Sequence, residues 1–226
     1  MKKVYKIALL GDSMTDTAGE GCPLLRQELK KHYPEIEFDL YNYGVGGTRV
    51  GYGLWRLTND YEFNDKHYPA LVNLEPDIVL VESFAYNNGH DSTREDGLSH
   101  FRDMHYQIVE TLKEKTHAQV VHVVTIAPDL DRFLESVSNY KNTPASIRRW
   151  MAEDRVLYLE EMIKIAGELN TPLVNVYQAS LDAAKQGTPL GRWITPKDWI
   201  HPGEEGHQFI AETIAKVFVE KGLVSQ

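Results

Sequence analysis

The feature that most constrains the fold of this chain is a repeated alternation between short apolar runs and longer helical segments. Several runs are apolar on consecutive residues, which is typical of strands covered on both faces. The runs of strand length are Val4–Leu10, Ile36–Tyr43, Asp77–Glu82, Gln119–Ile126 and Pro172–Tyr177. Such strands, separated by helices, predict a parallel sheet with helices on both faces and therefore an α/β fold.

The segments between these runs carry apolar residues at helical spacing. Helices are predicted after Pro23, over Ser99–Lys115, over Thr143–Asn170 and from near Pro202. No tandem repeat, low-complexity tract or long linker interrupts the 226 residues, so one domain over 1–226 is expected. In folds of this kind ligands bind beyond the carboxyl ends of the strands.

Composition excludes several classes of protein. With 42% hydrophobic and 25% charged residues, the chain is not disordered, collagenous or membrane-spanning. Its formal net charge of -9 makes nucleic acid and anionic membranes poor partners. Cys22 is the only cysteine, which excludes an internal disulfide and a cysteine zinc site. The apolar run Ile7–Leu10, after Lys2 and Lys3, is too short for a signal-peptide core, so a cytoplasmic location is expected.

The first strand ends in Gly-Asp-Ser at 11–13. A serine there can hold its hydroxyl at the mouth of the sheet, although a serine in a turn or helix cap is the commoner case. This is not the Gly-x-Ser-x-Gly elbow, because Thr15 stands where the second glycine belongs.

The second strand ends in a glycine-rich segment, 42–48. A glycine N–H at this edge is a natural oxyanion donor, and a turn without function is the alternative. A dinucleotide fingerprint would need a glycine at Arg49. After the third strand, Asn87-Asn88-Gly89 is typical of a turn, and an asparagine amide there could also donate a hydrogen bond into a site. His90 and Asp91 follow it directly.

A fourth segment carries Asp198 and His201, followed by Pro202. The proline favours an extended His201 and suits the first turn of the next helix. Asp198 is close enough in sequence to hold the imidazole, and such a pair accepts a proton near neutral pH. A surface turn is the alternative. The nine histidines show no metal-ligand spacing, and Asp129 and Asp131 lack the phosphate loop that a phosphotransferase would need.

Taken together and in this order, the four segments resemble the GDSL/SGNH hydrolase family. They are Gly-Asp-Ser at 11–13, Asn-x-Gly-x-x-Gly-Thr at 42–48, an asparagine block at 85–88 and Asp-x-x-His-Pro at 198–202. The resemblance implies a three-layer α/β/α sandwich with a flavodoxin-like parallel sheet of about five strands. Each block is short, but together they span nearly the whole chain.

The resemblance also implies roles for particular residues. Ser13 would be the nucleophile, His201 the general base and Asp198 the residue that orients it. The oxyanion hole would comprise the backbone N–H groups of Ser13 and Gly47 and the side-chain amide of Asn87. The third block departs from the family's Gly-x-Asn-Asp, since it reads Ala85-Tyr86-Asn87-Asn88, so Asn88 is an alternative to Asn87. The candidate substrate-binding residues are Asp12, Tyr86 and Asn88.

The function implied is hydrolysis of a carboxylic ester through an acyl-serine, with no metal or organic cofactor. The segments Gly51–Tyr68 and Ala127–Thr143 are candidate rims rich in Tyr, Asn, Asp and Arg, which favours a small polar or acetylated carbohydrate ester over a long lipid. A lysophospholipase or thioesterase, an acyltransferase and a non-catalytic binding module are the alternatives. The expected partner is a small-molecule ester. The oligomeric state stays open.

Overall fold

A five-stranded parallel sheet forms the centre of the computed structural model, which describes residues 4–88 and 93–225. Its strands stand in the order β2-β1-β5-β6-β7. Their bounds are Val4–Gly11 (β1), Glu37–Gly44 (β2), Ile78–Glu82 (β5), Gln119–Val124 (β6) and Leu173–Asn175 (β7). The predicted parallel α/β sandwich is confirmed, and four of the five predicted strands agree to within a few residues.

In the described residues, seven α-helices accompany the sheet. They are Ser13–Asp16 (α1), Pro23–His32 (α2), Val50–Trp55 (α3), Arg94–Lys115 (α4), Ala145–Glu168 (α5), Val176–Lys185 (α6) and Glu204–Lys221 (α7). Helices α2 and α7 pack together, and α4 packs against both α3 and α5. Within the ranges described, no helix is both long and apolar enough to cross a lipid bilayer.

The structure differs from or adds to the predicted elements at two places. The run Pro172–Tyr177 is only partly a strand, because Asn175 caps a helix by accepting a hydrogen bond from the N–H of Gln178 at 2.9 Å. The segment Gly51–Tyr68 contains most of α3 and an antiparallel hairpin of Tyr61–Phe63 (β3) and Lys66–Tyr68 (β4). Gly89, His90 and Asp91 lie outside the described residues.

Two histidines are buried side by side beneath the sheet. His105 of α4 and His122 of β6 have ring centroids 6.1 Å apart, and neither side chain is exposed. His105 Nε2 donates to the carbonyl of Ser83 at 3.2 Å, and His122 Nδ1 contacts Thr171 Oγ1 at 2.6 Å. The second ring nitrogen of each histidine has no hydrogen-bond partner among the described residues. Both rings are therefore suited to the neutral form.

Burial lowers the pKa of His105 to about 3, with a further contribution from His122, and lowers the pKa of His122 to about 4. In the unfolded chain both imidazoles titrate near their ordinary value of about 6.5. Below that pH the unfolded chain binds protons that the folded chain does not, so the free energy of unfolding falls as the pH drops from about 6.5 towards about 4.

Replacing His105 by phenylalanine should make this acid destabilisation less steep. Each buried histidine contributes up to about 1.4 kcal/mol per pH unit to the slope of the unfolding free energy against pH. His105→Phe should therefore lower this slope by about 1.4 kcal/mol per pH unit between pH 4 and pH 6. Urea unfolding at several pH values measures the slope. The exposed His117 offers a control, and His117→Phe should leave the slope nearly unchanged. Equal slopes for wild type and His105→Phe would contradict the account.

Candidate active site

Ser13 lies immediately beyond the carboxyl end of β1, as the first residue of the short helix α1. Asp12 caps this helix, because its Oδ1 accepts a hydrogen bond from the N–H of Met14 at 2.8 Å. The cap fixes the turn between strand and helix. Ser13 remains half-buried at the sheet edge, while Asp12 is fully buried.

The end of β2 packs directly against this turn because it carries glycine. A Cβ added at Gly44 would lie 2.2 Å from the backbone nitrogen of Asp16. One added at Gly46 would lie 3.8 Å from Ser13 Cβ and 3.5 Å from Asp16 Oδ2. Gly47 follows with φ of 72°, a conformation that glycine adopts without strain. The glycine loop and Ser13 are therefore neighbours.

Asn87 joins the third strand end to the first. It ends a short 3₁₀ helix, Ala85–Asn87, and its Nδ2 donates to Asp12 Oδ2 at 2.8 Å. An asparagine amide has two N–H groups, so one remains for another acceptor. The contact with Asp12 also fixes which end of the amide is the donor.

The other candidate residues of the third block are engaged inside the protein. The Nδ2 of Asn88 donates to Asp154 Oδ2 at 2.5 Å, and Asn88 is buried. The hydroxyl of buried Tyr86 donates to the carbonyl of Ile126 at 3.0 Å. Both oxygens of Asp12 accept hydrogen bonds, from Met14 and Asn87. The Asn88 Nδ2, the Tyr86 hydroxyl and the Asp12 carboxylate are thus held by protein atoms, whereas Asn88 Oδ1 is buried without a hydrogen-bond partner among the described residues.

Asp198 and His201 face each other in the loop before α7. His201 Nδ1 lies 2.7 Å from Asp198 Oδ2, while Asp198 Oδ1 accepts from the backbone N–H groups of Ile200 and His201 at 2.8 and 3.0 Å. Because the carboxylate accepts, the proton is on Nδ1, and the other ring nitrogen of a neutral imidazole is left as an acceptor. Thr195 N–H donates to the carbonyl of His201 at 2.8 Å and holds the loop.

These contacts also determine the charge of Asp198. Burial alone would raise the pKa of Asp198, but the hydrogen bonds from the His201 side chain and from the two backbone N–H groups outweigh burial and lower it below its usual range. The carboxylate is therefore ionised at neutral pH. An ionised partner stabilises a protonated His201.

His201 lies near the turn that carries Ser13. Burial raises the pKa of two carboxyl groups of that turn, Asp12 and Asp16, and the charge of a protonated His201 offsets part of this rise. The structure thus brings together the ends of β1, β2 and β5 and the loop before α7. These are the four segments in which the candidate residues lie.

Two buried carboxyl groups, those of Asp12 and Glu82, lie behind the turn that carries Ser13. Glu82 accepts hydrogen bonds from Ser83 Oγ at 2.6 Å and from the N–H of Phe84 at 2.9 Å, and its Oε2 is 3.5 Å from the N–H of Asp12. Burial and the charge of Asp12 raise the pKa of Glu82 well above its usual range. Burial beside a second carboxyl group thus favours the neutral form of Glu82.

Arg56 is fully buried beneath the same edge of the sheet. Its Nη1 donates to the carbonyl of Tyr43 at 2.5 Å and its Nη2 to the carbonyl of Gly11 at 3.0 Å. The guanidinium also lies 5.1 Å from the ring centroid of Tyr52 and 5.6 Å from that of Tyr61. One side chain thus ties the ends of β1 and β2 together.

The roles of Glu82 and Arg56 could not be predicted from the sequence. Glu82 marks the end of a predicted strand, but nothing in its neighbourhood signals a buried acid. Arg56 stands outside every motif, and its burial depends on the aromatic hairpin that follows. In the described part of the chain, no three histidine, cysteine or acidic residues lie together as metal ligands would.

Comparison with known proteins agrees with this geometry. The model of the GDSL-like lipase/acylhydrolase family matches residues 9–209. The chain belongs to this family. It is accordingly a carboxylic ester hydrolase, and the family resemblance stated from the four sequence blocks is confirmed. No curated protein sequence matches the chain significantly.

Solved structures share the fold of this family member at low identity. A lipase/acylhydrolase from Enterococcus faecalis is 19% identical with a TM-score of 0.64, covering 98% of this chain and 97% of its own. An acetylxylan esterase from Geobacillus stearothermophilus is 17% identical with a TM-score of 0.66 and covers 100% of both chains. These similarities confirm the three-layer α/β/α architecture.

The contact between Gly44 and α1 gives a test of how the hydrolase positions its serine. Gly44→Ala should destabilise the protein by about 1–3 kcal/mol, because the added Cβ meets backbone atoms that cannot move independently. Gly167→Ala, in α5 with nothing within 4 Å of its Cβ, should stabilise by about 0.5–1 kcal/mol. Urea unfolding measures both, and equal effects would refute close packing at Gly44.

Proposed function

We propose that this ester hydrolase acts through an acyl-serine formed on Ser13, in one catalytic domain. The observation that carries the proposal is the 2.7 Å contact between His201 Nδ1 and Asp198 Oδ2, beside the turn that holds Ser13. It leaves His201 Nε2 as the acceptor for the serine proton. Asp198 stabilises the imidazolium that results.

The reaction proceeds in two balanced halves. Ser13 Oγ attacks the ester carbonyl as His201 Nε2 takes its proton, which gives a tetrahedral oxyanion. The bond to the alcohol oxygen then breaks, and His201 returns the proton to the departing alcohol. In the second half water loses a proton to His201, attacks the acyl-serine and releases the acid and the free serine. No cofactor enters either half.

The oxyanion is stabilised by three donors that converge on the sheet edge. They are the backbone N–H of Ser13, at the start of α1, the N–H of Gly47 in the neighbouring loop and the second N–H of the Asn87 amide. Asp12 supports the third donor, since it occupies the other N–H of that amide. The contacts of Asn88 with Asp154 favour Asn87 over Asn88 for this role.

A relative of similar fold supports the choice of residue types. The catalytic mutants reported for the acetylxylan esterase from Geobacillus stearothermophilus replace a serine, an aspartate and a histidine. Ser13, Asp198 and His201 are the same three types. That esterase also motivates the substrate class, an acetyl ester of a carbohydrate or another small polar alcohol.

A second candidate substrate is an ester with a longer acyl chain. An apolar cavity of about 220 Å³ lies beside the nucleophile turn, and Met14, Thr15 and His207 are among its lining residues. An acyl chain of several methylene groups would match the apolar lining of this cavity. Glu82 also lines the cavity, where burial raises its pKa and so disfavours a charge beside an apolar ligand.

The first test compares wild type with Ser13→Ala on aryl acetate and aryl octanoate. Acetate hydrolysis should fall at least a thousandfold in the variant, since loss of a triad member typically costs that much or more. Ser146→Ala, on the exposed side of α5, is the control and should retain wild-type rates. Preference for acetate supports the first substrate class, and preference for octanoate supports the second. Undiminished activity in Ser13→Ala would refute the mechanism.

The second test separates the two asparagines. Asn87→Ala should lower kcat by about 10²–10³ with little change in KM, because an oxyanion donor acts mainly in the transition state. Asn88→Ala should mainly lower the melting temperature, since it leaves Asp154 with one hydrogen bond fewer. Steady-state kinetics and thermal unfolding of both variants decide the assignment. The reverse pattern would give the role to Asn88.

A further inference from the structure

A polar groove extends from the nucleophile turn along the outer edge of β2. It has a volume of about 690 Å³ and begins at Asp16, three residues after Ser13. Four consecutive residues, 40–43, line it. Because consecutive strand residues point to opposite faces, a cavity that touches four in a row lies along the edge of the strand. β2 is the terminal strand of the sheet.

The opposite wall of the groove is the β3–β4 hairpin. Asn64, Lys66 and Tyr68 line it, and Glu20 lines the wall formed by the loop after α1. Lys66 Nζ and Glu20 Oε2 are 2.6 Å apart, so an ion pair joins the two walls. The groove is therefore bounded on both sides by side chains of the described chain.

Asp16 closes the inner end of the groove next to Ser13. Its Oδ2 is 3.5 Å from the position that a Cβ on Gly46 would take, and Ser13 Cβ is 3.8 Å from the same point. The described residues supply no hydrogen bond or ion pair to its carboxylate. Burial raises the pKa of Asp16 while the charges of His201 and Arg56 lower it. A half-buried carboxylate without partners is an acceptor available to a ligand.

The chemistry of the groove matches an uncharged molecule rich in hydroxyl groups. The edge of β2 carries backbone groups that no further strand of the described sheet pairs with. Tyr41 and Tyr68 add aromatic surface, on which the apolar face of a sugar ring can pack. The opposite charges of Glu20 and Lys66 compensate each other. This pair therefore gives the groove no excess charge that would select a strongly charged ligand.

We propose that this groove binds the sugar portion of the substrate, with Asp16 accepting hydrogen bonds from hydroxyl groups next to the scissile ester and Tyr41 packing against a more distant ring. The inference rests on the proposed function, since it concerns the alcohol portion of the same ester. A groove of this volume accommodates more than one sugar ring. The substrate is therefore an acetylated oligosaccharide rather than an acetylated monosaccharide alone.

The test compares two substrates, phenyl acetate and an acetylated xylo-oligosaccharide. Only the second reaches the groove, so the ratio of its kcat/KM to that of phenyl acetate reports on the groove alone. The ratio should fall at least tenfold in Tyr41→Ala and in Asp16→Asn. Arg26→Ala changes an exposed groove residue of α2 and should also lower the ratio, which keeps the test informative if Tyr41→Ala fails to fold.

The matched control is Tyr106→Ala, in α4 and outside the groove, which should leave the ratio within twofold of wild type. Ratios within twofold of wild type in all three groove variants would overturn the proposal. So would hydrolysis of phenyl acetate by a wild-type enzyme that does not hydrolyse the oligosaccharide.

A binding measurement separates failure of the groove from failure of the mechanism. Calorimetric titration of Ser13→Ala with the deacetylated xylo-oligosaccharide should show binding that adding Tyr41→Ala weakens at least tenfold. Absence of millimolar binding would overturn the groove whatever the kinetics. If Ser13→Ala hydrolyses as fast as wild type but the titration behaves as expected, the nucleophile is wrong and the groove stands.

Discussion

The buried guanidinium of Arg56 is the interaction on which the candidate site depends. An isolated charge without solvent is costly, so it must be compensated by acceptors in fixed positions. Here the acceptors are the terminal carbonyls of β1 and β2 and the faces of two tyrosines. The same contacts that satisfy Arg56 therefore determine how closely the strand bearing Gly11 and the strand bearing Gly44 can approach. The position of the turn that carries Ser13 depends on that spacing.

A second constraint is the division of charge behind the turn. Asp12 and Glu82 are both buried, and only one of the two can be ionised at modest cost. Burial and the charge of Asp12 raise the pKa of Glu82, and hydrogen bonds from Met14 and Asn87 favour a negative charge on Asp12. It lies next to the residue that would carry the nucleophile and near the histidine that would receive its proton.

Much of the fold could be predicted from the sequence, because a parallel sheet leaves strong signals. Strands buried on both faces are continuous apolar runs, and β1 and β6 match their predicted runs closely. The last strand was harder, since the helical capping by Asn175 depends on one side chain and competes with an apolar run that continues through Val176. The hairpin at 61–68 is short and tyrosine-rich, and its pairing has no periodicity that a prediction could use.

Some residues of the candidate site could likewise be predicted from the sequence, and others could not. Ser13, Asp198 and His201 stand in short blocks whose order along the chain carries information. No sequence block assigns a function to Arg56 or Asp16. Their surroundings form only when strands that are distant in the sequence pack together. For Asp12, the sequence suggested contact with substrate, whereas the structure surrounds its carboxylate with protein donors. Motifs identify residue types, but folding decides which atoms remain free.

The position of β2 at the margin of the sheet has a consequence for self-association. A long unpaired strand edge is a template on which a strand of another molecule can add. Glu37 and Asp39 are exposed on this strand, so two copies meeting edge to edge would bring like charges together. The β3–β4 hairpin and the Lys66–Glu20 pair obstruct the carboxyl-terminal half of the strand. The exposed acidic residues at one end of β2 and the hairpin at the other thus both disfavour the addition of a foreign strand.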